Sequence, residues 1–430
     1  MKKRSNPTVT RRDFVKASVG IAAAGFAMPR AFGAGVHTSV NDTVRVGLIG
    51  CGGRGRGAAI NAMEASPNTR IVAFADVFPE RINEAKQHVT GFDPSRATVD
   101  EEHCYSGFDA FKQLIDESDA DYVILATPPH FRPMHFEAAI HAGKHVFTEK
   151  PVASDAAGIR TMLAAAEEAE RKKLSVVAGT QRRHEACYQQ LYEQVQEGAI
   201  GEITGGRCWW NQGGLWVVEK DPSWSNMEWM LRNWLYFTWT SGDHIVEQHV
   251  HNLDVCNWFI GSHPTKCMAL AGRQVRTEPK YGNIFDHFAV EYEYPDGVIV
   301  ASQCRQIDGC AGRVAESIRG SEGWTWSASG QAQLQGESGW RFAGENPNPY
   351  VVEHQDLIAS ITGSGKYWNE ARQVAESTLT AIMGRMSAYT GQEVTWQQAL
   401  DSKEDLAPET YDWVDVEIPS VAVPGRTPLV

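Results

Sequence analysis

Residues 44–57, Val-Arg-Val-Gly-Leu-Ile-Gly-Cys-Gly-Gly-Arg-Gly-Arg-Gly, decide how the rest of the chain is read. Val44, Val46, Leu48 and Ile49 make a short apolar run suited to a buried strand. Glycine then recurs at Gly50, Gly52, Gly53 and Gly55, with Arg54 among them, and an alanine-rich segment follows from Ala58 to Ala65. Strand, tight turn and helix with G-x-G-x-x-G spacing predict a turn that holds a dinucleotide. Gly50 lets the chain turn, Gly52 lets the backbone approach a pyrophosphate, and Gly55 lets helix pack against strand. Free N–H groups and the dipole at the helix start favour the negative charge. Gly53 and Arg54 lie within the same turn and are counted with it.

Outward from this turn, a second strand over Arg70–Ala75 ends at Asp76. An acid there accepts hydrogen bonds from an adenosine ribose and repels a 2′-phosphate, which favours NAD over NADP. Helices are predicted over Pro79–Val89, Ser106–Asp116, Phe136–Ala142 and Asp155–Lys172. Strands are predicted over Tyr122–Ala126, His145–Phe147 and Ser175–Gly179. This alternation predicts a parallel, doubly wound sheet of the Rossmann type over residues 42–180. Ligands in such sheets lie beyond the carboxyl ends of the strands. Asp76, Thr127 to His130 and Thr148 to Pro151 therefore share one rim with the glycines.

At 430 residues the chain is long enough for two domains. Its first 34 residues read as an export signal rather than fold. Thr10-Arg11-Arg12-Asp13-Phe14-Val15-Lys16 precedes a mildly apolar stretch, Ala17 to Met28, and Ala31-Phe32-Gly33 offers small residues for cleavage. This is the pattern of a twin-arginine signal, so a periplasmic or otherwise exported location is expected. Residues 1–33 carry seven Lys/Arg and one Asp, and losing them takes the formal charge from −13 to −19. So acidic a chain is a poor ligand for nucleic acid or an anionic membrane. Eight cysteines show no C-x-x-C spacing, and buried thiols are expected rather than structural zinc.

Gly143-Lys-His-Val-Phe-Thr-Glu-Lys-Pro151, following Ala126-Thr-Pro-Pro-His130, resembles the Gfo/Idh/MocA oxidoreductase family. The resemblance implies two domains, a nicotinamide cofactor, and a sugar, polyol or related substrate. It places Lys150 between nicotinamide and substrate and has Glu149 help hold the cofactor, alongside Thr127, Pro128 and His130. A cis Lys150–Pro151 bond would fit that arrangement. Chemistry alone makes Lys150 reasonable, because an ammonium beside a forming alkoxide stabilises it and can relay its proton.

A second domain is expected over 181–407. Gln181-Arg182-Arg183-His184 follows the last strand on the same rim, which makes Arg182 and Arg183 candidates for substrate contact. From Trp209 to Trp239 the chain holds seven of its fourteen tryptophans, interleaved with Asn211, Gln212, Asn226, Arg232 and Asn233. Flat apolar faces beside fork-shaped hydrogen-bonders suit a sugar, with Trp216 and Arg232 as candidates; the alternative is that they fill a core. In Ser241–Asp254, helical spacing puts His244, Glu247, His251 and Asp254 on one face. By the resemblance His251 is the catalytic base or acid, Glu247 orients it, and Asp254 is structural. Asp243 and His249 stand where the family has glycines and are expected on the pocket wall; His244 reads as a hydrogen-bonded wall residue. A rival reading sets Glu247, His249 and His251 on one face of a strand as metal ligands, but no H-E-x-x-H spacing supports it, and no metal is expected.

Phe288–Tyr294 and Val298–Cys304 alternate about Pro295-Asp296-Gly297 and predict an antiparallel hairpin, with further short strands to Gln333. The second domain is thus expected to be α/β with an open, mostly antiparallel sheet, whose free face the resemblance assigns to a homodimer or homotetramer. Residues 370–389 predict a helix packed back near the first domain, and residues 408–430 an extended arm. Free nicotinamide nucleotide is scarce outside the cytoplasm, so an exported enzyme of this kind is expected to carry its cofactor bound and restore it in each turnover. Two chemistries meet that demand: oxidation coupled to reduction of a second substrate, or a glycosidase that oxidises, eliminates and reduces again. A non-catalytic sugar-binding protein is the third reading.

Overall fold

The run Val44–Ile49 is strand β1, and the glycines open helix α1 (Gly53–Ala65). These positions come from a computed structural model that describes residues 42–337 and 339–430. The expected signal segment lies outside the described residues. Strands β2 (Thr69–Asp76), β3 (Cys104–Ser106), β4 (Tyr122–Leu125), β5 (His145–Thr148) and β6 (Val176–Ala178) join β1 in a parallel sheet of order β3-β2-β1-β4-β5-β6. The order reverses direction beside β1, so a crevice opens at its carboxyl end. Helices α2 (Pro79–Phe92), α3 (Ala110–Glu117), α4 (Arg132–His141) and α5 (Ala156–Lys172) join α1 in covering the sheet. Pro79 starts α2 with its backbone already preset for a helix. The Asp155 carboxylate caps α5 by accepting from Gly158 N at 2.8 Å. Helix α3 begins four residues later than its sequence predicts, because Cys104–Ser106 pairs with β2 as the sheet edge.

The second half contributes α6 (Ala186–Gln196), β7 (Ile203–Gln212), α7 (Asn226–Arg232), α8 (Thr238–Ser241), α9 (His244–Glu247) and α10 (Val250–Ile260). Strands β8 (Lys266–Gly272), β9 (His287–Glu293), β10 (Ile299–Gln306), β11 (Arg313–Gly320), β12 (Trp324–Ala328), β13 (Gln331–Gln335) and β14 (Trp340–Arg341) follow. Helices α11 (Pro349–Ile361) and α12 (Ala371–Thr390), β15 (Val394–Thr395) and α13 (Trp396–Asp401) complete the elements. The nine-stranded sheet has the order β14-β13-β12-β11-β7-β10-β9-β8-β15 and is antiparallel except where β7 meets β10. One face is apolar and packs on α6, α10 and α12; the other carries exposed Met268, Leu270 and Trp324. Helix α12 ties the two halves together: Thr378 Oγ1 accepts from Val152 N at 3.3 Å, and the buried Arg385 donates to the Ser154 carbonyl. Residues 402–430 contain no helix or strand and run as an extended arm.

Candidate active site

Beyond the carboxyl end of β1 lies a cavity of about 470 Å³. Gly50 turns the chain at φ +96°, and a Cβ there would stand 2.6 Å from the Ala126 carbonyl carbon. A Cβ on Gly55 would fall 1.9 Å from the Gly50 carbonyl oxygen, so only glycine lets α1 start against β1. Gly52 and Gly53 differ: a Cβ at Gly53 meets open space, and one at Gly52 meets only Arg81 Nη1 at 3.4 Å. Both line the cavity, leaving room where a diphosphate would lie against the start of α1. Asp76 borders the same space and accepts from Cys51 N at 2.7 Å and Phe78 N at 2.9 Å. Burial raises its pKa, while those two N–H groups and Arg81 hold it down. The carboxylate keeps lone pairs beyond these two bonds, which a ribose diol can use. Residues and space fit an NAD molecule.

Thr127 and Pro128 line this cavity, and so do Trp216 and Arg232. The last two had been expected at the substrate. They are at the nucleotide end because Arg232 is drawn to the first domain, pairing with Glu80 at 2.8 Å and stacking 4.0 Å over the Phe78 ring. Arg54 donates to Glu149 Oε1 at 2.5 Å and lies under the Tyr350 ring, so Glu149 meets the glycine turn through Arg54. His130 is not among the residues facing the cavity. Its Nε2 is joined to the Tyr411 hydroxyl at 2.7 Å and its Nδ1 to Ser154 Oγ at 3.5 Å, because the tight turn over Pro129–Phe131 swings it toward the C-terminal arm. Burial lowers its pKa to about 4 against the pull of Asp155 and Asp405.

Lys150 sits at the end of β5, next to a cis bond to Pro151. The Pro151 carbonyl accepts from the buried Arg132, a contact with no signal in the sequence. Lys150 Nζ donates to the Glu247 carbonyl at 2.6 Å and to its Oε1 at 3.0 Å. Glu247 therefore anchors the lysine, and no bond to His251 is present among the described residues. The physical reason is a break in the helix. Asp243 adopts φ +75°, α9 ends at Glu247, and α10 restarts at Val250, so the four residues expected on one face diverge. His251 lies parallel to the Trp210 indole, with centroids 5.6 Å apart and planes at 18°. Burial, reinforced by the positive charges of Lys150, Arg182 and Arg54, holds its pKa well below the usual imidazole value. Glu247 Oε2 and His251 Nδ1 are buried here without a protein partner among the described residues, as are Arg54 Nη2 and Arg182 Nε.

Several candidates go elsewhere. Arg182 is buried against Glu316 at 2.6 Å and stacks under Trp210, so it supports the indole behind His251. Arg183 forms a two-pronged pair with Asp254, at 2.8 and 2.9 Å, and lies over Trp258. His244 packs edge-on to Phe288 with its Nδ1 on Asp243. Asp243 and His249 are fully buried, not on the pocket wall. Asp243 ties together His244 N, Phe285 N and the Tyr389 hydroxyl, while His249 bonds Ser302 and Asn252. The metal geometry is thereby lost, since residues 247–251 form no strand. Among the described residues one group could ligate a metal, the surface trio Asp100, Glu102 and His103. Of the seven tryptophans, Trp229 and Trp239 fill an apolar cluster, Trp216 and Trp234 face the nucleotide cavity, and Trp210 alone backs His251.

Comparison with known proteins identifies both halves of the chain. Residues 44–177 match the oxidoreductase family with an NAD-binding Rossmann fold, and residues 188–325 match the GFO/IDH/MocA C-terminal domain. Inositol 2-dehydrogenase of Acidothermus cellulolyticus is 27% identical over 73% of this chain and 79% of that protein. Glycosyl hydrolase family 109 protein 1 of Bacteroides fragilis is 34% identical, over 39% of this chain and 35% of its own length. A levoglucosan dehydrogenase solved with NADH and levoglucosan shares the fold at TM-score 0.65 and 18% identity, over 82% of this chain and 99% of that one. Two family domains in sequence, on a fold whose crevice is shaped for NAD, make this chain a member of the Gfo/Idh/MocA family of NAD-binding oxidoreductases acting on CH–OH groups.

Proposed function

We propose that this protein oxidises a hydroxyl of a sugar, polyol or glycoside, with Lys150 and His251 as the groups that handle its proton and a tightly bound NAD restored in each turnover. The observation that carries the reading is the pair of unpartnered buried atoms, Glu247 Oε2 and His251 Nδ1, beside an anchored ammonium. Buried polar groups are rarely left unpaired, and a hydroxyl-rich ligand would satisfy both. When bound, NAD accepts the hydride. His251, kept neutral by burial and nearby cations, takes the hydroxyl proton. Lys150 stabilises the developing alkoxide with a proton that Glu247 does not use. Trp210, held by Arg182 beneath it, fixes the imidazole plane.

The expected export signal supports retention of the cofactor, because a freely exchanging nucleotide would not be replenished outside the cytoplasm. The uncovered face of the nine-stranded sheet, with Met268, Leu270 and Trp324 exposed on it, supports a homo-oligomer. A second reading is a glycosidase that oxidises, eliminates and reduces again; the 34% identity to a family 109 glycosyl hydrolase favours it. One experiment bears on both. Purified protein is denatured and the supernatant assayed for NAD(H). Near-stoichiometric nucleotide supports a retained cofactor, and an empty protein with micromolar exchange overturns it. Incubation with a sugar panel and with aryl glycosides then separates net oxidation from glycoside cleavage.

A further inference from the structure

The C-terminal arm is anchored at both ends and, between them, packs on aromatic residues that line the cofactor cavity. At one end Glu404 pairs with the buried Arg385, and Leu406 N donates to Asp155 Oδ2 at 3.3 Å. At the other, Gly425 N donates to the Thr390 carbonyl at 2.9 Å, and the Val430 carbonyl accepts from Ser402 Oγ at 2.6 Å. In between, the Tyr411 hydroxyl meets His130 Nε2, and its ring lies 5.8 Å from Phe131. Trp413 packs 5.5 Å from Phe78 and 5.1 Å from Phe108. Phe78, Phe108 and Phe131 all line the nucleotide cavity. From the next residue the arm reaches helix α7. The Val414 carbonyl accepts from Met227 N at 3.3 Å, Asp415 Oδ1 from Asn226 N at 2.8 Å, and the Val416 carbonyl from Asn226 Nδ2 at 2.9 Å. Helix α7, which starts there, supplies Leu231 and Arg232 to the same cavity.

We infer that this arm is a strap behind the cofactor cavity, one that reinforces the Arg232–Glu80 joint between helix α7 and the first domain and must loosen before a bound nicotinamide dinucleotide can leave. The inference rests on the retained-cofactor reading for its biological sense, but its geometry stands apart from it. Separating α7 from the first domain enough to release a dinucleotide pulls Trp413 from the two phenylalanines or breaks three backbone-directed hydrogen bonds to α7. The arm therefore acts on the release rate more than on hydride transfer. Trp413 is 42% exposed, so its ring is held by these contacts rather than by burial in a core.

The test is a measurement of NADH release. Full-length protein loaded with NADH is mixed with excess NAD⁺, and the loss of bound-NADH fluorescence is followed. Trp413→Ala is expected to release roughly tenfold faster than the parent, from the loss of two aromatic contacts. Tyr411→Phe is expected to release faster by a smaller factor, and removal of residues 409–430 by a larger one. Glu417→Gln, an exposed change on the same arm, should match the parent. If the truncated chain does not fold, the two point variants decide the matter. Unchanged release in Trp413→Ala and Tyr411→Phe overturns the strap. A parent that releases NADH within its turnover time, with both variants faster still, keeps the strap and overturns cofactor recycling.

Discussion

At Lys150 the ammonium has three N–H groups, and Glu247 occupies two of them, one through its carbonyl and one through Oε1. The third is left for a substrate oxygen. Lys150→Met should therefore lower kcat by roughly 10²- to 10⁴-fold while NAD still binds, as steady-state kinetics with a nucleotide titration will show. Lys150→Arg should not restore the rate, because a planar guanidinium does not fit a site built for a point charge. Glu247→Gln should lower kcat as well, since the lysine loses its charged anchor. The resemblance to the family names Lys150 and His251, and the structure sets Lys150 on Glu247 and His251 against Trp210. The partner of Glu247 was not legible. Pairing it with His251 assumed an unbroken helix, and one left-handed residue, Asp243, followed by a restart at Val250, sends the two side chains apart. Arg132, which holds the Pro151 carbonyl, gave no signal because its use depends on a contact nineteen residues away.

At the scale of elements, the glycine turn joins sequence to fold most tightly. Gly55→Ala would set a methyl 1.9 Å from the Gly50 carbonyl oxygen, and no rotamer can relieve it. The expected result is a loss of roughly 3 kcal/mol or more in stability, seen as a lowered urea midpoint. Gly53→Ala meets open space and should fold normally yet weaken NAD binding, since its methyl faces the cavity. The alternation of strands and helices in the first half was readable where strands are continuous apolar runs buried on both faces, as in Tyr122–Leu125 and Val176–Ala178, and not at the edge strand β3, whose Ser106 is exposed. Strand β7 was not recognised. After Ile203 and Thr204 it continues with Gly205, Gly206 and Arg207 and ends in the Trp209–Gln212 stretch, so no period-two pattern appears, although it lies at the centre of the sheet between β10 and β11. The same blindness made the tryptophans look like one sugar site. Position in the fold divides them among core, nucleotide cavity and the wall behind His251.

For the whole molecule, buried histidines set the pH limits of stability. Burial lowers the pKa of His130 to about 4 and, with Arg132 and His130 nearby, that of His135 to about 3. The unfolded chain protonates both near 6.5, so the folded state loses stability as pH falls from about 6.5 toward 3. His184 behaves in the opposite sense. Burial alone would lower its pKa, but Glu370 and the hydrogen bonds to Asp356 and Glu370 prevail and raise it to about 10. Its contribution is complete below about 6.5 and is lost as pH rises toward 10. Thermal melts across this range should therefore peak between the two limits, and His184→Phe should flatten the alkaline limb while leaving the acid limb in place. The arm, legible as extended from its composition, gave no hint of its path, because Tyr411 and Trp413 find their partners more than 280 residues back in the chain. The central claim is that Lys150 and His251 serve one hydride transfer to a bound nicotinamide. Its most direct test follows nicotinamide absorbance in a single turnover, with NAD-loaded protein mixed rapidly with sugars, polyols and glycosides. The account predicts reduced nicotinamide with at least one of them in the parent, and formation slower by roughly 10²-fold or more in Lys150→Met and His251→Ala although both still hold NAD. Reduction at the parent rate in either variant would contradict it.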